Sequence, residues 1–226
     1  MQKYNTLGIV LSRTNYGEAD RIITFLTPDH GKVKVIAKGV RKAKSKLAGG
    51  IELFSVSHIG VLVGKGEVNT LLSTRLKNHY SDIVKNLDRT NLGYEFIKLL
   101  DKATAEHPEE AYFSLLSQSF EALNNDRIDV ILVEAWFGAQ LLKLGGHSPN
   151  LQTLKNGEKL VAGQKYDFDL ESMCFKEGKT YNSDHIKFLR LLFSGNQPAA
   201  LQTISNVNQL SAKLQPLVQS IQRYQH

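Results

Sequence analysis

Residues 32–46 are the part of this chain whose side chains most clearly predict a ligand. The segment contains seven basic residues and no acidic one. The basic residues are Lys32, Lys34, Lys38, Arg41, Lys42, Lys44 and Lys46. Cationic groups at this density suit a polyanion, and a nucleic-acid backbone is the commonest large polyanion in a cell. The alternative is a solvated loop that only keeps the protein soluble, and the pattern does not choose between DNA and RNA.

The elements that position these charges follow from alternation. Apolar and basic residues alternate from residue 32 to residue 38, which predicts a strand with its lysines on the outer face. A later predicted strand places Val68, Thr70, Leu72, Thr74 and Leu76 on its inner face. Arg75 and Lys77 then lie on the outer face, so we add both to the candidate nucleic-acid-binding residues.

The charge distribution separates the N-terminal third from the rest. Residues 1–80 hold 13 Lys and Arg against 5 Asp and Glu, a net charge of +8, whereas the whole 226-residue chain carries +6. The remainder therefore carries −2. Such asymmetry indicates a charged partner for the N-terminal part rather than a property of the fold.

The first 77 residues predict five strands, with a turn at residues 28–31 and a hairpin turn at residues 64–66. A longer irregular segment links the third strand to the fourth. This arrangement suits a five-stranded barrel of the oligonucleotide-binding (OB) type, whose surface binds single strands. Periodicity alone does not separate it from another five-stranded barrel.

From about residue 81 the hydrophobic period changes to that of helices. We predict one helix with a stripe at Leu92 and Phe96, a second that starts at Pro108, and a third over residues 126–144 that ends at Gly145. Residues 147–181 predict an irregular insert with a small hairpin. Helix resumes with Ser183 as N-cap, and Pro216 should kink or break the last helix. The fold class is therefore α+β, with domains at 1–80 and 81–226.

Three N-terminal segments resemble the bacterial recombination mediator family RecO. They read YGEADRII at 16–23, TPDHGK and IAKGVRK at 27–42, and KSKL and ELF at 44–54. The resemblance implies an OB barrel followed by a helical domain. It also implies binding of single- and double-stranded DNA and annealing of complementary strands. Its implied partners are RecR, often RecF, and the single-strand binding protein (SSB), with RecA loaded as the outcome.

Many members of this family bind zinc through four cysteines in the insert. Here only Cys174 lies in that region, and His147 is not in a paired spacing with it. Four-coordinate zinc needs four ligands. We therefore predict no zinc and no other cofactor, with the insert held together by apolar packing.

Several other residues allow two interpretations. Arg21 could contact a phosphate or pair with Glu18 or Asp20 to fix a loop, and the structural role is favoured. Tyr16 could stack on a base, although a turn tyrosine more often covers the end of a barrel. Trp136 and Phe137 are expected in the helical core. A minority alternative places them in a pocket for the SSB tail, with Lys143 or Arg127 binding its carboxylates.

The sequence contains no recognisable catalytic motif. It lacks a Gly-rich loop that ends in Gly-Lys-Ser/Thr, a His-Glu-x-x-His motif and a nucleophile elbow. It also lacks a long apolar segment and a signal peptide, so we expect a cytoplasmic, nucleoid-associated protein that is not an enzyme. The rival hypotheses are an RNA-binding or ribosome-associated barrel protein and a hydrolase with an unrecognised site.

Overall fold

Five strands open the chain and close into a barrel in the order β1-β2-β3-β5-β4. They are β1 (Lys3–Tyr16), β2 (Asp20–Thr27), β3 (Gly31–Ala37), β4 (Ser55–Leu62) and β5 (Asn69–His79). The computed structural model describes residues 2–104 and 110–225. All neighbouring strands are antiparallel except β3 and β5, which run parallel. The predicted OB-type barrel is confirmed.

Alternation explains how β2 and β3 fill the barrel. Ile23 and Phe25 on β2 are fully buried, as is Val35 on β3. Their neighbours in sequence point outward, because successive strand residues lie on opposite faces. Lys34 is accordingly exposed on the outer surface. The predicted orientation of β3 is therefore correct.

The predicted inner face of β5 is wrong at Leu72 and right at Thr74, which pairs with the core residue Ile59 and is partly buried. Leu72 and Leu76 are both 44% exposed, and Leu71 is the residue that enters the core. The register between β4 and β5 shifts twice, because Leu72 and Lys77 are extra residues of β5 that have no pairing partner in β4. Each bulge adds one residue to β5 and so reverses the faces of the residues that follow.

Two helices, α1 (Leu87–Ala103) and α2 (Glu110–Asn124), belong to the same compact unit as the barrel. The ring of Phe54, at the entry to β4, packs edge-on against Phe120 of α2 with 5.4 Å between centroids. A side chain at Gly93 of α1 would lie 2.7 Å from the same ring. The unit therefore extends to Asn124, beyond the boundary predicted near residue 80. The helix start predicted at Pro108 lies outside the described residues.

The second compact unit covers residues 125–226. Its helices are α3 (Val130–Leu144), α4 (Ser183–Leu192), α5 (Pro198–Leu201) and α6 (Val207–Tyr224). The third helix begins at Val130 and not at Asp126, because the Asp129 side chain accepts the amide hydrogens of Ile131 and Leu132. Gly145 ends it as predicted.

Two details of the last helices differ from prediction. Asn182, not Ser183, is the N-cap of α4, and it forms a capping box with His185. Helix α6 continues through Pro216 without a break. Leu214 and Val218 on either side of the proline are buried, and this burial compensates for the missing amide donor.

The insert forms a three-stranded sheet of β6 (Asn150–Leu154), β7 (Tyr166–Asp169) and β8 (Cys174–Glu177) in the order β6-β8-β7. Strands β7 and β8 form the predicted hairpin, and β6 pairs with β8 in parallel. Phe175 is fully buried at its centre, and the rings of Tyr166, Phe168 and Tyr181 lie around it at centroid distances of 5.3–6.4 Å.

Candidate nucleic-acid interface

The segment that follows β3 carries most of the candidate residues. We call residues 38–46 the basic loop. Val40 within it and Ile51 beyond it are both buried in the barrel core. The loop is therefore fixed to the barrel at two points, and all its charged residues except Lys38 lie between them.

The first end of the basic loop is tied to the turn between β1 and β2. The Gly39 amide donates to Asp20 Oδ1 at 2.7 Å, and the Arg41 amide donates to the carbonyl of Ala19 at 2.9 Å. The Arg41 guanidinium also donates to the carbonyl of Gly17 at 3.3 Å. Gly39 has a φ of 65°, a conformation that a side chain would strain.

The other end is held by β5 and β1. The Thr74 hydroxyl donates to the carbonyl of Leu47 at 3.1 Å. The Arg13 guanidinium donates to the carbonyl of Ile51 at 3.2 Å and pairs with Glu52 at 3.3 Å. Both ends of the loop thus have defined positions, which lowers the entropy lost when a ligand binds.

The charged groups of the basic loop face solvent. Lys38, Arg41, Lys42, Lys44 and Lys46 are all exposed. Across residues 2–104 and 110–225, none of these four lysines forms an ion pair. Their ammonium groups are therefore available to an external anion.

Lys32 does not belong to this group. Its ammonium group lies 2.9 Å from the carbonyl oxygen of Asp101 and 3.4 Å from Asp101 Oδ1, at the last turn of α1. Its side chain is only 22% exposed. Lys34, two residues later, is exposed and has no such partner among the described residues.

The outer face of β2 and β3 contains apolar residues that the sequence argument did not use. Ile22 and Ile36 form a cross-strand pair on this face and are only partly buried. Lys34 and Thr24 form the next outward pair. The strand 2–3 face is where OB barrels bind oligonucleotides. The sequence did contain a signal for this apolar face: β-branched residues occupy the outward positions of these strands as well as the inward ones.

Arg75 and Lys77 lie away from the basic loop. Arg75 pairs across the ladder with His58 of β4 and lines a groove of about 300 Å³. Lys77 occupies the second β5 bulge. The structure therefore divides the predicted residues into the basic loop with Lys34, the contact of Lys32 with α1, and the β5 pair.

The other interpreted residues are placed as follows. Arg21 donates to Asn15 Oδ1 at 3.1 Å, so it has a structural partner, although not the predicted Glu18 or Asp20. Tyr16 is 54% exposed at the end of β1. Phe25 is a barrel core residue, and Phe54 is buried against α1 and α2.

Trp136 and Phe137 are core residues of the second unit, as expected. Both are buried, and Trp136 Nε1 donates to the carbonyl of Asn196 at 2.8 Å. Their rings leave no open surface for a tail to occupy. Lys143 and Arg127 are exposed.

The prediction of no zinc concerns the insert, which contains one cysteine. In the described part of the chain no three His, Cys, Asp or Glu side chains converge as metal ligands. Cys174 is buried, and its Sγ lies 3.1 Å from the Ser172 hydroxyl.

None of the helices in the described residues is long and apolar enough to cross a membrane.

Comparison with known proteins places the barrel in context. The family model described as "Recombination protein O N terminal" matches residues 1–80. A DNA repair protein RecO of Dehalococcoides mccartyi is 33% identical over 165 residues, which cover 72% of this chain and 64% of the relative.

Two further proteins named DNA repair protein RecO show the same similarity. That of Desulfatibacillum aliphaticivorans is 34% identical over 154 residues, or 67% of this chain and 60% of the relative. That of Rubrobacter xylanophilus is 31% identical over 151 residues, with the same two shares. The chain thus spans about three fifths of the length of the curated relatives it matches.

Proposed function

Because residues 1–80 match the RecO N-terminal family model, we propose that this protein is a DNA-binding mediator of recombinational repair that anneals complementary strands. One observation carries the proposal: the basic loop presents five exposed cations, four of them between the buried anchors Val40 and Ile51. Cations that no protein carboxylate neutralises can replace the counterions of a phosphate backbone.

The proposed mechanism is charge neutralisation with alignment. The basic loop and Lys34 bind the phosphates of one strand, which lowers its repulsion for a second strand. The partly buried Ile22 and Ile36 then offer an apolar surface beside the phosphate contacts, against which bases can lie. Annealing is downhill, so the mechanism needs no nucleotide hydrolysis and no catalytic residue.

The helical second unit is proposed to provide the protein interfaces. We propose that it works with RecR and the SSB tail, and in some settings RecF, to load RecA onto SSB-coated single strands. The burial of Trp136 and Phe137 argues against a tail site on those two rings. A pull-down of the full chain with RecR and with the SSB tail peptide tests each partner separately.

The function is tested by measuring the affinity for single-stranded DNA and RNA of one length at two salt concentrations. We expect binding to DNA that weakens steeply with salt, and faster pairing of complementary strands in the presence of the protein. A clear RNA preference without strand pairing would instead favour an RNA-binding barrel. Cleavage of DNA in the presence of a divalent metal would favour a hydrolase.

A further inference from the structure

A second concave surface lies on the barrel, on the face formed by β1, β4 and β5. The groove has a volume of about 300 Å³, and its polar lining includes Asn5, His58, Ser73 and Arg75. None of the residues that line it is acidic. Its size is at the lower end of ligand pockets, so it suits one small charged group better than a bulky cofactor.

The shape of the groove comes from a glycine and two bulges. A Cβ at Gly60 would lie 2.5 Å from Ser73 Oγ and 3.1 Å from Asn5 Oδ1, so the absent side chain leaves the floor open. The segment that contains Ser73 and Arg75 lies between the β5 bulges at Leu72 and Lys77. Bulges bend a strand and re-aim its side chains.

The chemistry of the lining selects an anion. Arg75 and His58 are directly opposite each other in the β4–β5 ladder, which places their Cβ atoms about 5 Å apart. Both side chains are exposed, and within the described residues Arg75 has no carboxylate partner. A guanidinium group presents donors in a planar fork that matches phosphate oxygens. The Ser73 hydroxyl and the Asn5 amide can add neutral donors.

The groove also lies on an extension of the proposed nucleic-acid path. Ile36, at the end of β3, pairs with Thr70 of β5, and Arg75 follows five residues later. At 3.3 Å per residue this is roughly 16 Å along the strand. A stacked nucleic-acid strand covers that distance with about five nucleotides at 3.4 Å each.

We propose that this groove is a second backbone site, which binds a phosphate of the same nucleic-acid strand several nucleotides beyond the basic loop. The inference rests on the proposed function, because it assumes that the basic loop binds a phosphate backbone. Beyond the proposed function, it states that the bound nucleic-acid strand continues along β5 and that its contacts end at Arg75 and His58.

The test compares Arg75→Gln with Lys98→Gln, which removes the same charge from an exposed position of α1. Fluorescent single strands of four and sixteen nucleotides are titrated at several salt concentrations. For Arg75→Gln we expect the affinity for the longer strand to fall roughly fivefold near 0.1 M salt and its salt slope to fall by about 0.7. The four-nucleotide strand is too short to reach from the basic loop to Arg75, so it should bind both variants equally.

A second variant blocks the groove without changing its charge. Gly60→Ala adds a methyl group to the floor, and it should reproduce the length-dependent loss, provided that its melting temperature stays close to wild type. The inference is overturned if Arg75→Gln binds both strands as Lys98→Gln does, or loses affinity equally for both lengths. If the wild-type chain binds neither strand in dilute buffer, the proposed function itself is wrong. The two failures are therefore distinguishable.

Discussion

The ammonium group of Lys32 lies 2.9 Å from the carbonyl oxygen of Asp101, where it caps the C-terminal turn of α1. The carbonyls of the last helical turn have no partners within the helix, and a cation there also interacts favourably with the helix dipole. Lys32 is part of the basic run in the sequence. In the structure, however, it helps to hold α1 against the barrel.

We therefore predict opposite phenotypes for two neighbouring lysines. Lys32→Gln should lower the free energy of unfolding by about 0.5–1 kcal/mol and leave affinity for single-stranded DNA nearly unchanged. Lys34→Gln should leave stability unchanged and weaken binding roughly three- to fivefold near 0.1 M salt. Urea unfolding and fluorescence titration measure the two effects. Equal loss of affinity in both variants would show that Lys32 leaves Asp101 to reach the nucleic acid.

The basic loop gives a second prediction. Replacing Arg41, Lys42, Lys44 and Lys46 with Ala should weaken binding to all single-stranded sequences alike and lower the salt slope by about 3, because four phosphate contacts are lost. The melting temperature should stay constant, since Val40 and Ile51 still anchor the loop. A variant with Lys42, Lys44 and Lys46 changed to Arg keeps the charge and should bind like wild type. An unchanged slope in the alanine variant would place the contacts elsewhere.

The orientation of these residues shows what the sequence could predict. Alternation in β3 was sufficient for its faces, because β3 pairs with β2 without irregularity. Alternation failed at Leu72 of β5, because a bulge adds a residue without changing the composition. The Lys32 contact was not predictable either, since 69 residues separate the partners and no local pattern records such a distance.

Helix ends show a related limit. Asn182 and Ser183 are both good caps, as are Asp126 and Asp129. Which one serves depends on the direction in which the chain enters the helix, and tertiary packing sets that direction. Likewise, Pro216 breaks a helix only when packing does not compensate for its missing donor, and here a buried face does.

A third prediction concerns the insert. Since the described residues provide no zinc ligand set, a chelator should leave the melting temperature unchanged, and Cys174→Ala should lower it only slightly. Phe175→Ala should instead cost about 3–5 kcal/mol, because it empties the centre of the aromatic cluster. Metal analysis of the purified protein provides an independent check. Stoichiometric zinc, or unfolding by the chelator, would contradict apolar packing as the source of stability.

The cap of α4 gives a prediction about pH. The pKa of His185 is lowered, first by burial and then by the positive charge of Lys213. Its Nδ1 accepts the Asn182 amide hydrogen at 3.1 Å, which requires an unprotonated nitrogen. The unfolded chain therefore binds a proton more readily than the folded one. This contribution to stability is complete above about pH 6.5 and declines as the pH falls towards the folded-state pKa.

The comparison variant is His185→Gln, which keeps an acceptor at this capping position without a titrating group. Its free energy of unfolding should fall less than that of the wild type between pH 7.5 and pH 5. Resonances of the imidazole should titrate below pH 6.5. Identical pH profiles for the two proteins would mean that His185 does not contribute to the pH dependence.

The parallel pairing of β3 and β5 involves only two residue pairs, Val35 with Asn69 and Ile36 with Thr70. It is the shortest seam of the barrel, so local opening of the sheet should start there, and the backbone amides of residues 35–36 and 69–70 should exchange with deuterium sooner than those of β1 and β2. A strand of nucleic acid that runs from the loop after β3 onto β5 would cross this seam. If the nucleic acid binds there, deuterium exchange of these backbone amides should be slower in the complex than in the free protein.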